Sequence, residues 1–373
     1  MAARIVVFGA TGYTGRLVSE RLVAQGVRPV LAGRSEEKLR ALAQRLGGLG
    51  WEAADVLRET SMFDLVRRGD VFVSTVGPFA RWGVPAVRAA VAAGAAYLDS
   101  TGEPPFIRRV FTEYDAPARH SGSVLLPAMG YDFVPGALAA GLVLRDAGER
   151  AVRVDVGYYA LGGGPSSMSR GTRASLAGIA LAPSYAFRGG AVRTVRSAER
   201  MRTFPVKGKE RPAISVGGAE HFTVPPPFDH LREVNVYLGW FGPLARGITM
   251  TSRATAFAGR VPGLRDALVA GAGKLASMGD APAEGTTPGG LSWIAAAAYD
   301  EAGEQLAEVH LSGADGYDFT AGMLAWAARH VAAHGSPVTG AAGPLQAFGL
   351  DELERGCAEA GITRVADPAA ATG

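Results

Sequence analysis

Ile5-Val6-Val7-Phe8-Gly9-Ala10-Thr11-Gly12-Tyr13-Thr14-Gly15 is the stretch from which the fold follows. An apolar run of strand length enters a glycine-bearing turn, and Arg16 to Leu22 continues with apolar positions at helical spacing, so the stretch reads strand, turn, helix. In the spacing Gly9, Gly12, Gly15, the first glycine permits the tight turn and the second lets a pyrophosphate approach the backbone. The third lets the helix lie close to the strand. A helix starting near Tyr13 directs free N–H groups and its positive dipole end at an anion. With Thr11, Tyr13 and Thr14 between the glycines, residues 9–15 read as a dinucleotide-binding turn.

The following segments repeat the alternation. Pro29 to Gly33 is a second strand, and Glu36 to Leu42 is a helix capped by Ser35. An acidic residue at the end of that strand would suit the ribose hydroxyl of NAD. Here Gly33, Arg34 and Ser35 present a cation and a hydroxyl suited to the 2′-phosphate of NADP. Trp51 to Val56 is a third strand whose Asp55 either accepts from the adenine amino group or caps the next helix. Asp70 to Thr75 is a fourth strand, apolar as one buried on both faces must be. It leads into Val76-Gly77-Pro78-Phe79, which places Thr75, Gly77 and Pro78 against the cofactor's ribose or nicotinamide. Strands at 96–100 and 124–130 complete a doubly wound α/β plan.

Composition restricts the function classes. A chain of 373 residues with 48% hydrophobic and 20% charged residues supports two folded domains and excludes disorder. The net charge of +3 comes without basic runs interleaved with aromatics, so no nucleic-acid partner is expected. The single Cys357 fits a reducing compartment. No metal-ligand spacing occurs. The first strand begins too early to leave room for a signal peptide, and no apolar run of about 18 residues could span a bilayer. A cytoplasmic protein is expected.

From Ala151 the pattern changes to half-buried alternation at 152–159, with further strands at 190–195 and 232–240 and a hairpin joining 291–296 to 306–313. A glycine loop at 162–167 precedes a helix at 169–180 bearing Arg170 and Arg173, and a loosened helix spans 261–278. Helices at 317–333 and 350–360 close the chain. His310, on a strand face, reads as structural.

Taken together, GATGYTG (9–15), AGR (32–34), VGPF (76–79), YLDSTGE (97–103) and GYDFVPG (130–136) resemble the saccharopine dehydrogenase-like superfamily of NADP-binding oxidoreductases. The likeness is nearest to its trans-acting enoyl reductase branch. The resemblance implies an N-terminal Rossmann domain (1–135), a second α+β domain with a mixed sheet (136–335) and a C-terminal segment (336–373) returning to the first. It implies NADPH and does not fix the substrate, since the superfamily includes reductases of imines formed from amino acids, carboxynorspermidine-type dehydrogenases and reducers of enoyl groups on carrier proteins. The partners expected here are a small-molecule or carrier-bound acyl substrate, with a polyketide synthase or acyl carrier protein, and a homodimer is the expected assembly. For an enoyl thioester, a donor must stabilise the enolate and the α-carbon must be protonated. Tyr131, with Asp132 orienting it, is the first candidate, followed by Glu103 and Tyr97. An imine reductase of the saccharopine type and a non-catalytic NADP-binding protein are the alternatives. Phe133 and Val134 separate Asp132 from Pro135-Gly136, a departure from the amino acid reductases. Phe79, Trp82, Tyr158, Tyr159, Phe187 and Trp240 suggest an apolar cavity.

Overall fold

The computed structural model describes residues 3–161, 184–240, 249 and 290–366. The chain forms two compact units, Met1–Val134 with Gly316–Gly361 and Pro135–Asp315 with Ile362–Gly373. The expected loop and helix at 162–180, with Arg170 and Arg173, and the helix at 261–278 lie outside the described residues.

The first unit opens with β1 (Ile5–Phe8), α1 (Tyr13–Ala24), β2 (Val30–Gly33), α2 (Glu36–Arg45), β3 (Trp51–Ala53) and α3 (Glu59–Leu65). It continues with β4 (Val71–Ser74), α4 (Phe79–Trp82), α5 (Val84–Ala93), β5 (Ala96–Asp99) and β6 (Val124–Leu126). The expected helix at 106–120 is two helices, Pro104–Arg109 and Asp115–Ser121, joined by a π turn at Val110–Tyr114. These six strands are parallel in the order β6-β5-β4-β1-β2-β3. The chain leaves β1 towards β2 on one side and returns to β4 on the other. That reversal opens a crevice beyond the carboxyl ends of β1 and β4, where open α/β sheets bind ligands. Val6, Val7, Phe72 and Val73 are wholly buried, as central strands covered on both faces require.

The second unit follows with α6 (Val134–Ala147), β7 (Arg153–Leu161), β8 (Ser184–Arg188), β9 (Ala191–Val195), β10 (Met201–Val206) and β11 (Lys209–Val216). Then come α7 (Glu220–Thr223), β12 (Glu233–Leu238), β13 (Leu291–Tyr299) and β14 (Gln305–Gly313). The sheet runs β10-β11-β12-β7-β13-β14, with β12 and β7 parallel and the remaining neighbours in that order antiparallel. The expected mixed sheet is therefore present. Its core joins Tyr159, Phe204, Tyr237 and Trp293, and the Phe204 ring lies so close over Gly157 that a Cβ there would sit 3.0 Å from it.

The chain then returns to the first unit through α8 (Gly316–His334) and β15 (Gly340–Ala341), which pairs parallel with β6. There α8 packs on α1, β4 and β5. The expected second domain, 136–335, includes α8, whereas its buried Phe319, Met323, Leu324 and Ala327 belong to the first unit. After α9 (Leu350–Glu359), β16 (Ile362–Arg364) joins β14 in the second sheet.

Candidate functional site

The three glycines of the opening turn do different work. Gly9 has φ +85°, and a Cβ there would stand 2.7 Å from Thr75 Oγ1. At Gly15 a Cβ would overlap the Gly9 carbonyl and stand 2.7 Å from Thr75 Oγ1, so helix and strand close only over a hydrogen. Gly12 is different. It caps α1 in an extended conformation with no side-chain cap, and a Cβ there would meet only the Gly9 oxygen, at 3.2 Å. No acidic side chain occupies the first turn, and Thr11, Gly12 and Tyr13 are exposed. Orphan amides of a helix start, behind a cap residue with no Cβ, are the donor set a diphosphate requires.

At the end of β2, Arg34 is exposed and makes no hydrogen bond or ion pair among the described residues. Thr11 Oγ1 lies beside Gly33, 4.0 Å from where its Cβ would be. Ser35 caps α2, its hydroxyl accepting from the Lys38 N–H at 3.4 Å. Asp55 accepts from the Leu57 N–H at 3.0 Å, fixing the turn before α3, while the cap position itself falls on Arg58. Leu57 stands 72% exposed beside it, an apolar surface next to a carboxylate, as an adenine ring would use.

Across the crevice, the Thr75 hydroxyl donates to the Phe8 carbonyl at 3.0 Å and ties the ends of β4 and β1 together. Gly77 and Pro78 follow, exposed, on the rim. Glu103 turns its carboxylate onto the backbone: Oε1 accepts from the Phe79 N–H at 2.7 Å and Oε2 from the Ala80 N–H at 3.0 Å. Both oxygens of this expected catalytic group are thus engaged. Asp99, at the end of β5, is fully buried, and its Oδ1 accepts from the Thr101 and Ala128 amides, each at 2.9 Å. Burial pushes its pKa up to about 6. The Tyr97 hydroxyl beside it is wholly buried and pushed well above its ordinary range, by burial first and by Asp99 second.

Tyr131 and Asp132 separate in role. The Tyr131 ring, 6% exposed, lies edge-on to Phe319 at 6.5 Å and over Gly316, and its N–H donates to Thr320 Oγ1 at 3.0 Å. Asp132 is half-buried, and Oδ1 is shielded from solvent with no hydrogen-bond partner among the described residues. Its Oδ2 faces Gly102, where a Cβ would come within 2.9 Å. Desolvation raises its pKa to about 7. Sequence could not show this, because nothing in Tyr131-Asp132 encodes which neighbour is desolvated. Asp99, Thr101 and Thr320 were missed as supports. A buried acid ending an apolar strand was the available signal for Asp99.

The second unit has polar groups of its own. The Tyr158 hydroxyl donates to Glu220 Oε1 at 2.6 Å. Burial lowers the pKa of His221 to about 4. His310 accepts from the Trp293 indole at 3.2 Å and meets Glu308 at 2.8 Å, a structural pairing. A cleft of about 800 Å³ is lined by Arg153, Asp155, Arg200, Arg202, Tyr237 and Tyr299 among others. Its arginines face acids, Arg153 and Arg202 at Asp155 and Arg200 at Glu233. Tyr159 packs in the core with Phe204, and Phe79 packs on Phe106, so these aromatics fill cores. Among the described residues no three His, Cys, Asp or Glu side chains gather as metal ligands, and no helix is long and apolar enough to cross a membrane.

The saccharopine dehydrogenase NADP-binding domain family matches residues 5–126. A trans-acting enoyl reductase of Mycobacterium tuberculosis is 38% identical over 140 residues, 36% of this chain and 34% of that protein. One of Mycobacterium ulcerans is 36% identical over 151 residues, 39% and 36% of the two chains. This chain thus matches about a third of the length of either relative. Among solved structures, the L-Glu-forming saccharopine dehydrogenase of Saccharomyces cerevisiae shares the fold, with TM-score 0.58 and 12% identity over 98% of this chain and 100% of that one.

Proposed function

We propose, from the match of residues 5–126 to the saccharopine dehydrogenase NADP-binding domain family, that the chain is an NADPH-dependent oxidoreductase that reduces the C=C bond of an enoyl substrate. The substrate is of polyketide or lipid type, presented as a thioester by an acyl carrier protein or polyketide synthase in the cytoplasm. The relatives named enoyl reductases support this choice. The observation that carries the chemistry is the Asp132 carboxyl, desolvated, without a hydrogen-bond partner for Oδ1 among the described residues and with Oδ2 beside Gly102, just beyond β5.

The amides opening α1 bind the diphosphate, with Gly9, Thr11, Gly12, Tyr13, Thr14 and Gly15 shaping the cradle. Arg34 holds the 2′-phosphate through charge-assisted hydrogen bonds, Ser35 adds a hydroxyl, and Asp55 with Leu57 receives the adenine. Thr75, Gly77 and Pro78 bound the opposite half. When bound, the reduced nicotinamide supplies a hydride, which ends on the β-carbon of the enoyl group. Asp132 in its protonated form gives up the proton that ends on the α-carbon, and solvent reprotonates it. Tyr131, packed on Phe319, fixes the turn that carries Asp132.

The test follows NADPH absorbance with a crotonyl thioester and, separately, with an imine preformed from an amino acid and an oxo acid. Oxidation with the thioester supports the reading. Oxidation with the imine alone supports a saccharopine-type reductase, and cofactor binding without turnover on either supports a non-catalytic protein.

A further inference from the structure

Glu103 has both carboxylate oxygens committed to backbone amides. Among the described residues, its carboxylate forms the only side-chain hydrogen bonds to residues 76–80, one oxygen on each of the Phe79 and Ala80 amides. The support continues behind it. The Glu103 N–H donates to Thr101 Oγ1 at 3.1 Å, the Thr101 N–H to Asp99 Oδ1 at 2.9 Å, and Asp99 Oδ1 also takes the Ala128 N–H. A continuous hydrogen-bonded chain therefore links the ends of β6 and β5 to the loop that follows β4. Its last link is a negative charge on two amides, stronger than a neutral bond of the same length.

The position of that loop tells which part of the cofactor it serves. Arg34 stands at the end of β2 and the helix amides at the centre, so the remaining half of a bound dinucleotide falls on the β4 side of the reversal. We propose that Glu103 is a positioning residue for the nicotinamide half of NADPH: it sets the height and rigidity of residues 76–80 without touching substrate. This deepens the reading of the first unit as an NADP site and reassigns Glu103 from the reacting groups to their support.

Two ligands separate this role from a general loss of fold. NADPH spans the whole crevice, whereas 2′,5′-ADP carries the adenosine 2′-phosphate and no nicotinamide. Calorimetric titration of Glu103→Ala should show NADPH bound about tenfold more weakly, the loss expected for a bond to a charged group, with 2′,5′-ADP within about twofold of wild type. Glu103→Gln keeps one acceptor oxygen and should fall between, and it carries the test alone if Glu103→Ala does not fold. Arg34→Ala, the converse control, should weaken both ligands. Equal NADPH binding by wild type and variants overturns the inference, as does a parallel loss of both ligands. A wild-type protein that binds neither ligand removes the cofactor site itself and this inference with it. Failure to turn over any acyl substrate leaves these titrations intact and counts only against the proposed reaction.

Discussion

Gly12→Ala and Gly15→Ala, three residues apart in one turn, should have opposite consequences. At Gly15 the added methyl overlaps the Gly9 carbonyl oxygen and stands 2.7 Å from the Gly9 carbonyl carbon. Neither backbone atom can swing aside, so α1 must move away from β1. Overpacking of this kind costs about 1–3 kcal/mol, and the backbone obstruction places it near the upper end. At Gly12 the only neighbour is the Gly9 oxygen at 3.2 Å, a few tenths of an ångström too close. The folding cost is then that of alanine at a helix cap, about 0.5–1 kcal/mol. Its methyl, however, stands where a diphosphate must meet the first-turn amides. Loss of one such charged bond, about 1.5–3 kcal/mol, weakens NADPH about 10- to 100-fold. Urea unfolding without ligand, followed by far-ultraviolet dichroism, reads the first effect, and NADPH fluorescence titration reads the second. Gly15→Ala should unfold early, and Gly12→Ala should fold nearly as wild type yet bind poorly. A Gly12→Ala protein that binds NADPH within twofold of wild type would refute the cradle.

Arg34→Ala should reduce the preference for NADPH over NADH by about 10- to 100-fold, since one charged partner of the 2′-phosphate is lost; an unchanged ratio in competitive titrations would remove Arg34 from the site. Asp132→Asn should lower kcat with a crotonyl thioester by about 10²- to 10⁴-fold. In the wild type, kcat should fall about tenfold per pH unit above about 7, because the proton donor is the protonated form. The raised pKa values of Asp99 and Asp132 mean that the folded state holds protons the unfolded chain has released, so stability should decline as pH rises from about 4 to 7. Asp132→Asn should flatten that decline in thermal unfolding, and a slope equal to wild type would contradict a desolvated carboxyl. Tyr158→Phe takes one donor from the buried Glu220 carboxylate and should destabilise the second unit by about 1–3 kcal/mol, read as a lower urea midpoint.

The strand–turn–helix opening, the parallel order of alternation and the basic residue ending β2 were determined by local pattern alone. Gly15 is required by its contact with the Gly9 carbonyl and Gly9 by its own positive φ, and such local requirements leave their mark on sequence spacing. Besides the hairpin at 291–313, two others were also written locally and went unread. Gly189-Gly190 joins β8 to β9 and Lys207-Gly208 joins β10 to β11, each with both residues at positive φ, the two-residue turn that matches strand twist.

Other features only the tertiary structure decided. Whether Glu103 reacts or supports depends on amides 24 and 23 residues earlier in the chain, and no motif records that pairing. Whether Tyr131 or Asp132 carries the labile proton depends on which side chain loses water. Phe319 and Gly316, almost two hundred residues away, pack the tyrosine, while the aspartate is left desolvated. The assignment of α8 to the first unit was likewise a matter of which apolar surface its buried face covered. A periodic pattern shows that a helix has such a face but carries no information about its partner.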